Sequence, residues 1–161
     1  MRLRDGSMIL HISETVEAHC RELFAWWTDY TDQDSADNRY MKVSRKVISR
    51  EGNIVRMADT FTRPLHFTDR TVAVLKPPGD VEFESESRLW NISGHYRMRG
   101  EGNSCVLEGT IDLRPKGVWR IILNLPPARY WIRKGIMLDT REHMNDFMSD
   151  RSKGKTGAGS N

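Results

Sequence analysis

What these 161 residues lack removes most of the common chemistries. No apolar run approaches the ~20 residues that carry a helix across a bilayer. Only two cysteines are present, Cys20 and Cys105. They are far apart and fit no metal-ligand spacing, so each reads as a small hydrophobe near the core. The five histidines, His11, His19, His66, His95 and His143, include no i, i+4 pair and no His-Glu-x-x-His helix, which leaves a metal site without support. A Gly-x-Ser-x-Gly nucleophile elbow is missing too. Gly154-Lys155-Thr156 imitates the end of a phosphate-binding loop, but Ser149 stands where the upstream glycine belongs. No cofactor and no metal are expected.

What is present describes a globular domain. Hydrophobic residues make up 38% and charged residues 29% of the chain, and one domain of this length buries roughly two-thirds of its unfolded surface. The expected organisation is a flexible leader at 1–7, a single domain at 8–150 and a disordered basic tail at 151–161. The apolar segment Met8 to Ile12 is too short for a signal peptide, so the cytoplasm is the expected compartment. Net charge is +3 but uneven: residues 1–113 carry 15 basic and 18 acidic side chains, residues 114–161 carry 10 and 4. A basic C-terminal face suits either plain solvation or contact with an anionic partner or membrane surface. Nucleic acid is disfavoured, because no reader motif accompanies the modest charge.

Hydrophobic periodicity divides the chain. Met8 to Val16 alternates as a strand, and Glu17 to Trp27 places Leu23, Trp26 and Trp27 at helical spacing. Asp29 to Asn38 reads as a loop or a second short helix capped by Asp34 or Ser35. From Met41 the period is two, in strands separated by Glu51-Gly52-Asn53, Arg63-Pro64-Leu65, Pro77-Pro78-Gly79-Asp80 and Gly100-Glu101-Gly102-Asn103. Val118 to about Phe147 reads as helix, divided after Leu125 by Pro126-Pro127 into a short leading segment and a main helix from about residue 127 to 149.

The order strand, short helix, strand meander and long C-terminal helix resembles the START-like helix-grip superfamily, which includes polyketide cyclases, birch-pollen-allergen-like proteins and lipid-transfer domains. Three stretches carry the resemblance: Ser13-Glu14-Thr15-Val16-Glu17-Ala18 with Glu22-Leu23-Phe24-Ala25-Trp26-Trp27-Thr28-Asp29, Gly94-His95-Tyr96-Arg97-Met98 with its following turn, and Leu113-Arg114-Pro115-Lys116-Gly117-Val118. The family's proline before the first helix is replaced here by Val16-Glu17-Ala18-His19. The resemblance implies an α+β helix-grip fold, in which an antiparallel sheet of six or seven strands wraps a long C-terminal helix and one or two short helices follow strand 1. It also implies an internal cavity, not a particular chemistry.

Candidate site residues are those on faces that point inward. Val55, Met57, Asp59 and Phe61 share one face. Asp59 there is either an acid–base group in an apolar setting or a partner of Arg56, Arg63 or Arg70. Tyr96 shares a face with Gly94 and Met98, where its hydroxyl either orients a ligand or packs against the closing helix. His66 and Arg70 share a face with Val72 and Val74, at a pocket mouth or in solvent. With Phe83 and the methionines Met137 and Met144 of the closing helix, the expected lining is Met57, Asp59, Phe61, Phe83, Tyr96, Met98, Met137 and Met144. The leading reading is binding or transport of a lipid-like or polycyclic molecule. The alternatives are a cyclase or dehydratase using Asp59 and Tyr96, and an interaction module using Arg129, Arg133, Lys134 and Arg141.

Overall fold

The computed structural model describes residues 6–157. Alternating side chains and Gly-containing turns produce seven long or medium strands: β1 (Met8–Val16), β3 (Lys42–Glu51), β4 (Ile54–Arg63), β5 (Phe67–Lys76), β6 (Asp80–Glu86), β7 (Trp90–Arg99) and β8 (Cys105–Pro115). The three-residue strand β2 (Ser35–Asp37) extends the edge beside β3, so the sheet has eight strands in the order β1-β8-β7-β6-β5-β4-β3-β2. The expected count of six or seven is therefore corrected. Asp34 explains the extra strand: its carboxylate accepts the Thr31 amide at 3.1 Å and closes a turn, so the chain enters β2 rather than a second helix. Gly52 and Gly102, in the β3–β4 and β7–β8 turns, occupy the left-handed region at φ 58° and 59°. After β8 the chain has returned to β1, which pairs with it from Met8 opposite Leu113 to Val16 opposite Cys105.

The helix α1 (Cys20–Trp27) follows β1 and buries Leu23 and Phe24, and Thr28 closes it by donating its hydroxyl to the Phe24 carbonyl at 2.7 Å. Cys20 and Cys105 are not free hydrophobes as expected. They form a disulfide joining α1 to β8 across 85 residues of sequence. Such bonds persist chiefly in oxidising compartments, which weighs against the expected cytoplasmic setting. No described helix is long and apolar enough to cross a membrane.

Pro126-Pro127 divides the C-terminal segment as its chemistry requires. The single turn α2 (Trp119–Ile122) ends before the prolines, and Pro126 opens α3 (Pro126–Gly157), a position where a missing N–H costs nothing. The described part of the segment expected as a tail, from Arg151, lies in α3. Arg151 continues α3 and pairs with Glu22 of α1 at 3.0 Å. Residues 1–5 and 158–161 of the expected leader and tail lie outside the described residues.

The core has two parts. Val16, Leu23, Val55, Met57, Met98, Leu107, Met144 and Phe147 pack at the α1 end. Met8, Leu10, Ile12, Phe67, Trp90, Ile111, Leu113 and Leu123 pack beneath the start of α3. Phe83 and Tyr96 touch both. Their rings stack at 5.4 Å and lie over cross-strand glycines: Phe83 is opposite Gly94, and Tyr96 is opposite Gly109. A Cβ on Gly94 would stand 2.3 Å from Phe83 Cζ. We expect Gly94→Ala to lower the unfolding free energy by about 1–3 kcal/mol through overpacking, with Phe83→Leu in the same chain recovering part of the loss in urea denaturation.

Candidate site between the sheet and the long helix

Strand register assembles a polar row on the inward face. Arg45 of β3 is directly opposite Asp59 of β4, and Asp59 is directly opposite Asp69 of β5. The period of two turns all three inward, because Val43 and Val47 flank Arg45, Met57 and Phe61 flank Asp59, and Phe67 and Thr71 flank Asp69 on the same faces. One strand further, the Thr71 and Ser85 hydroxyls meet at 2.8 Å, both buried.

The Arg45 guanidinium is the centre of this row. Its Nε and Nη2 donate to the two Asp59 oxygens, each at 2.8 Å, in a bidentate fork. Its Nη1 donates to Asp34 at 3.3 Å, and its carbon lies 5.3 Å from the Tyr30 ring centre. Burial weighs against the Arg45 charge, but the Asp59 hydrogen bonds and charge outweigh it and hold its pKa above the usual arginine value. Burial also pushes the Tyr30 hydroxyl up to about 12.

Asp69 is the uncompensated member. It is 4% exposed, and its Oδ2 accepts the Trp90 indole N–H at 3.2 Å while its Oδ1 has no hydrogen-bond partner. Ser87 weakly favours the ionised form, although its hydroxyl is engaged with the Leu89 and Trp90 backbone. Burial dominates and lifts the Asp69 carboxyl to about 6.

The opposite wall carries rings and one titratable pair. Trp27 meets Tyr96 edge-on at 5.3 Å and lies 5.8 Å from the His143 ring of α3. His143 pairs with Asp139 one turn earlier at 3.5 Å, and that hydrogen bond raises the His143 pKa despite burial. Burial raises the Tyr96 hydroxyl well above its ordinary value, and the Asp139 charge adds to the shift.

Of the residues expected to line a site, Asp59, Phe61, Phe83, Tyr96 and Met137 are half-buried, whereas Met57, Met98 and Met144 are buried in the cluster at the α1 end. Asp59 pairs with none of the three arginines considered for it. Arg56 meets Glu51, Arg63 meets Asp37, and Arg70 points outward with Val72. His66 is exposed as well. The residues that sequence reading missed are Arg45 and Asp69, each a charge interrupting an otherwise apolar inward face. That interruption was the available signal. Among the described residues no three His, Cys, Asp or Glu side chains converge as a metal site.

Two open surface concavities lie outside this interior. One of about 430 Å³ opens between α1 and the end of α3, beside Glu22, Trp26, Phe147 and Arg151. The other, about 400 Å³, runs between β1 and α3 beside Glu14, Val16, Arg141 and Met148. Within the grip, the rings of Trp27, Phe83 and Tyr96 occupy the middle ground.

A curled antiparallel sheet with a long C-terminal helix and a short helix after strand 1 is an arrangement shared with solved structures. The Zhui aromatase/cyclase of a Streptomyces species superposes with a TM-score of 0.71 at 10% identity, over 96% of this chain and 99% of that one. A protein from Thermus thermophilus gives 0.72 at 10% identity, over 89% and 99%. This is the START-like helix-grip fold. A START superfamily protein from Mycobacterium smegmatis shares it with a TM-score of 0.56 at 11% identity, over 91% and 97%. No protein-family model matches the sequence, and neither does any curated protein. Identities this low establish the helix-grip architecture and leave the chemistry to the site itself.

Proposed function

We propose that this helix-grip protein binds a small, largely apolar molecule bearing polar substituents, held between the inward sheet face and α3. The observation that carries this reading is the row Arg45–Asp59–Asp69. A core needs no such row, because a buried ion pair is commonly no more stabilising than apolar residues of the same volume. The orphaned Asp69 Oδ1 asks for a donor, such as a ligand hydroxyl. Arg45 suits a ligand carbonyl or phenolate. A polycyclic or lipid-like body would replace the Phe83–Tyr96 stack, whose rings lie over the sheet glycines Gly94 and Gly109.

The test is uptake of anilinonaphthalene sulfonate, which is polycyclic and anionic. We expect saturable one-to-one binding with quenching of tryptophan emission. Arg45→Lys, which keeps the charge but loses the fork, weakens binding about tenfold, as expected for a hydrogen bond to a charged group. A folded chain that takes up no such probe ends the proposal.

A second reading is favoured by one specific observation. A carboxyl near pH 6 with a free oxygen inside an apolar site is poised to give and take a proton. In a cyclase- or dehydratase-type reaction Asp69, rather than Asp59, would hold that proton, with Tyr96 orienting the substrate. Here Asp69→Asn abolishes turnover of a polyketone substrate while leaving its binding within a few-fold. Equal loss of both assigns Asp69 to binding alone.

A further inference from the structure

The turn α2 is apolar on both sides. Leu123 points into the core with Met8, Leu10 and Trp90, and Trp119 packs against the same cluster. The other side carries Val118, Ile121, Ile122 and Leu125, spaced i, i+3, i+4 and i+7 and all exposed, Val118 and Ile121 by 62% and 65%. Backbone bonds from the Ile121 and Ile122 amides to the Val118 carbonyl, and from Leu125 to Ile122, hold these four in consecutive turns. A contiguous aliphatic patch this exposed is costly in water and marks a contact surface.

Its surroundings are cationic. Between Leu113 and Leu138 the chain has Arg114, Lys116, Arg120, Arg129, Arg133 and Lys134 and no acidic residue. Arg114 and Lys116 meet Asp112 and Glu86. No carboxylate among the described residues pairs with Arg120, Arg129, Arg133 or Lys134. Arg129 and Arg133 follow Leu125 at successive i+4 steps. The half-buried Arg129 guanidinium donates to Asn124 Oδ1 at 3.1 Å and the Ser7 carbonyl at 3.4 Å, whereas Arg133 is exposed and continues the line of the patch. Tyr130 lies exposed on the same turns, and Trp131, also exposed, donates its indole N–H to the Tyr40 carbonyl at 3.0 Å and packs edge-on against the Tyr40 ring.

We propose that α2 and the first turns of α3 dock the protein on an anionic phospholipid bilayer, with Ile121 and Leu125 entering the acyl boundary and the arginines meeting headgroup phosphates. Aliphatic tips, aromatic residues and cations without a carboxylate partner together are the composition of an interfacial anchor. A second copy of the chain fits poorly, because a two-fold interface would press this cationic patch against itself. The patch lies outside the grip, so the inference is independent of the ligand reading.

The test is flotation of the full chain with phosphatidylcholine vesicles, with and without phosphatidylglycerol. We expect binding to the anionic vesicles, at least about tenfold stronger than to phosphatidylcholine alone, and weakened severalfold between about 0.1 and 0.5 M salt. Ile121→Asp with Leu125→Asp lowers the anionic-vesicle partition by at least about tenfold, and Arg120→Glu with Arg133→Glu lowers it similarly, while circular dichroism of both variants stays that of the parent. No binding of the parent chain at low salt overturns the proposal. So does undiminished binding by the folded Asp variant. A parent dimer that becomes monomeric in that variant overturns it as well, since the patch is then covered by another copy.

Discussion

Arg45→Met will lower the unfolding free energy by about 3–5 kcal/mol, the range for removing one partner from a buried ion pair. The Asp59 side chain is 13% exposed and loses both 2.8 Å bonds in that variant, while Asp34 loses its contact at 3.3 Å. Two carboxylates then share a space that excludes most water, and the Tyr30 ring loses the cation beside it. The discriminating measurement is the double variant Arg45→Met with Asp59→Leu in urea denaturation. It should recover most of the lost stability, because no buried charge is left uncompensated. If the double variant is as unstable as the single one, the pair is not an electrostatic unit and the row loses its central member. In the recovered double variant, probe uptake should remain weak. That result would separate the binding role of Arg45 from its structural role.

Between about pH 4 and pH 7, Asp69 will subtract about 3 kcal/mol of stability relative to Asp69→Asn, the free-energy equivalent of raising its carboxyl from 3.8 to about 6. The sign follows from the direction of the shift. A carboxyl whose pKa is raised by folding holds its proton more tightly in the native state, so its contribution is fully present below the unfolded value. That contribution is lost as pH rises through about 6. Burial is the main cause, and the facing Asp59 charge adds to it, while Trp90 and Ser87 act in the opposite sense. Asparagine imitates the protonated acid and keeps an acceptor for the Trp90 indole, so the variant lacks this slope. Carboxylates with lowered pKa, the exposed Asp37 and the half-buried Asp80 among them, tilt both proteins equally in the other direction. The informative quantity is therefore the difference between the two unfolding profiles. Parallel profiles would show that Asp69 is solvated or paired in solution.

These two residues also mark where sequence reading stops. In Phe67 to Lys76 both faces hold apolar residues, Val72 and Val74 on one and Phe67, Ala73 and Leu75 on the other, so period two alone does not choose which is inside. The curl of the sheet around α3 chooses the second, bringing Asp69 in and leaving Arg70 outside. Asp59 was legible as an inward carboxylate, but its partner was not. Arg56 and Arg63 are nearer in sequence, yet Arg45 reaches it through cross-strand register, because the β3–β4 hairpin places them opposite each other. Cys20 and Cys105 meet only because β1 returns to pair with β8, which carries α1 to that edge.

The elements themselves are local properties of the chain. Period-two strands, the Gly-containing turns, the break at Pro126-Pro127 and the long closing helix follow from backbone stereochemistry and side-chain alternation within a few residues. Their order was enough to suggest the helix-grip architecture. It took the folded chain to bring Arg45, Asp59 and Asp69 into one row, to join the two cysteines, and to leave the outer face of α2 exposed among the described residues. These are facts of register and enclosure, set by contacts between residues far apart in sequence, and local periodicity does not contain that information.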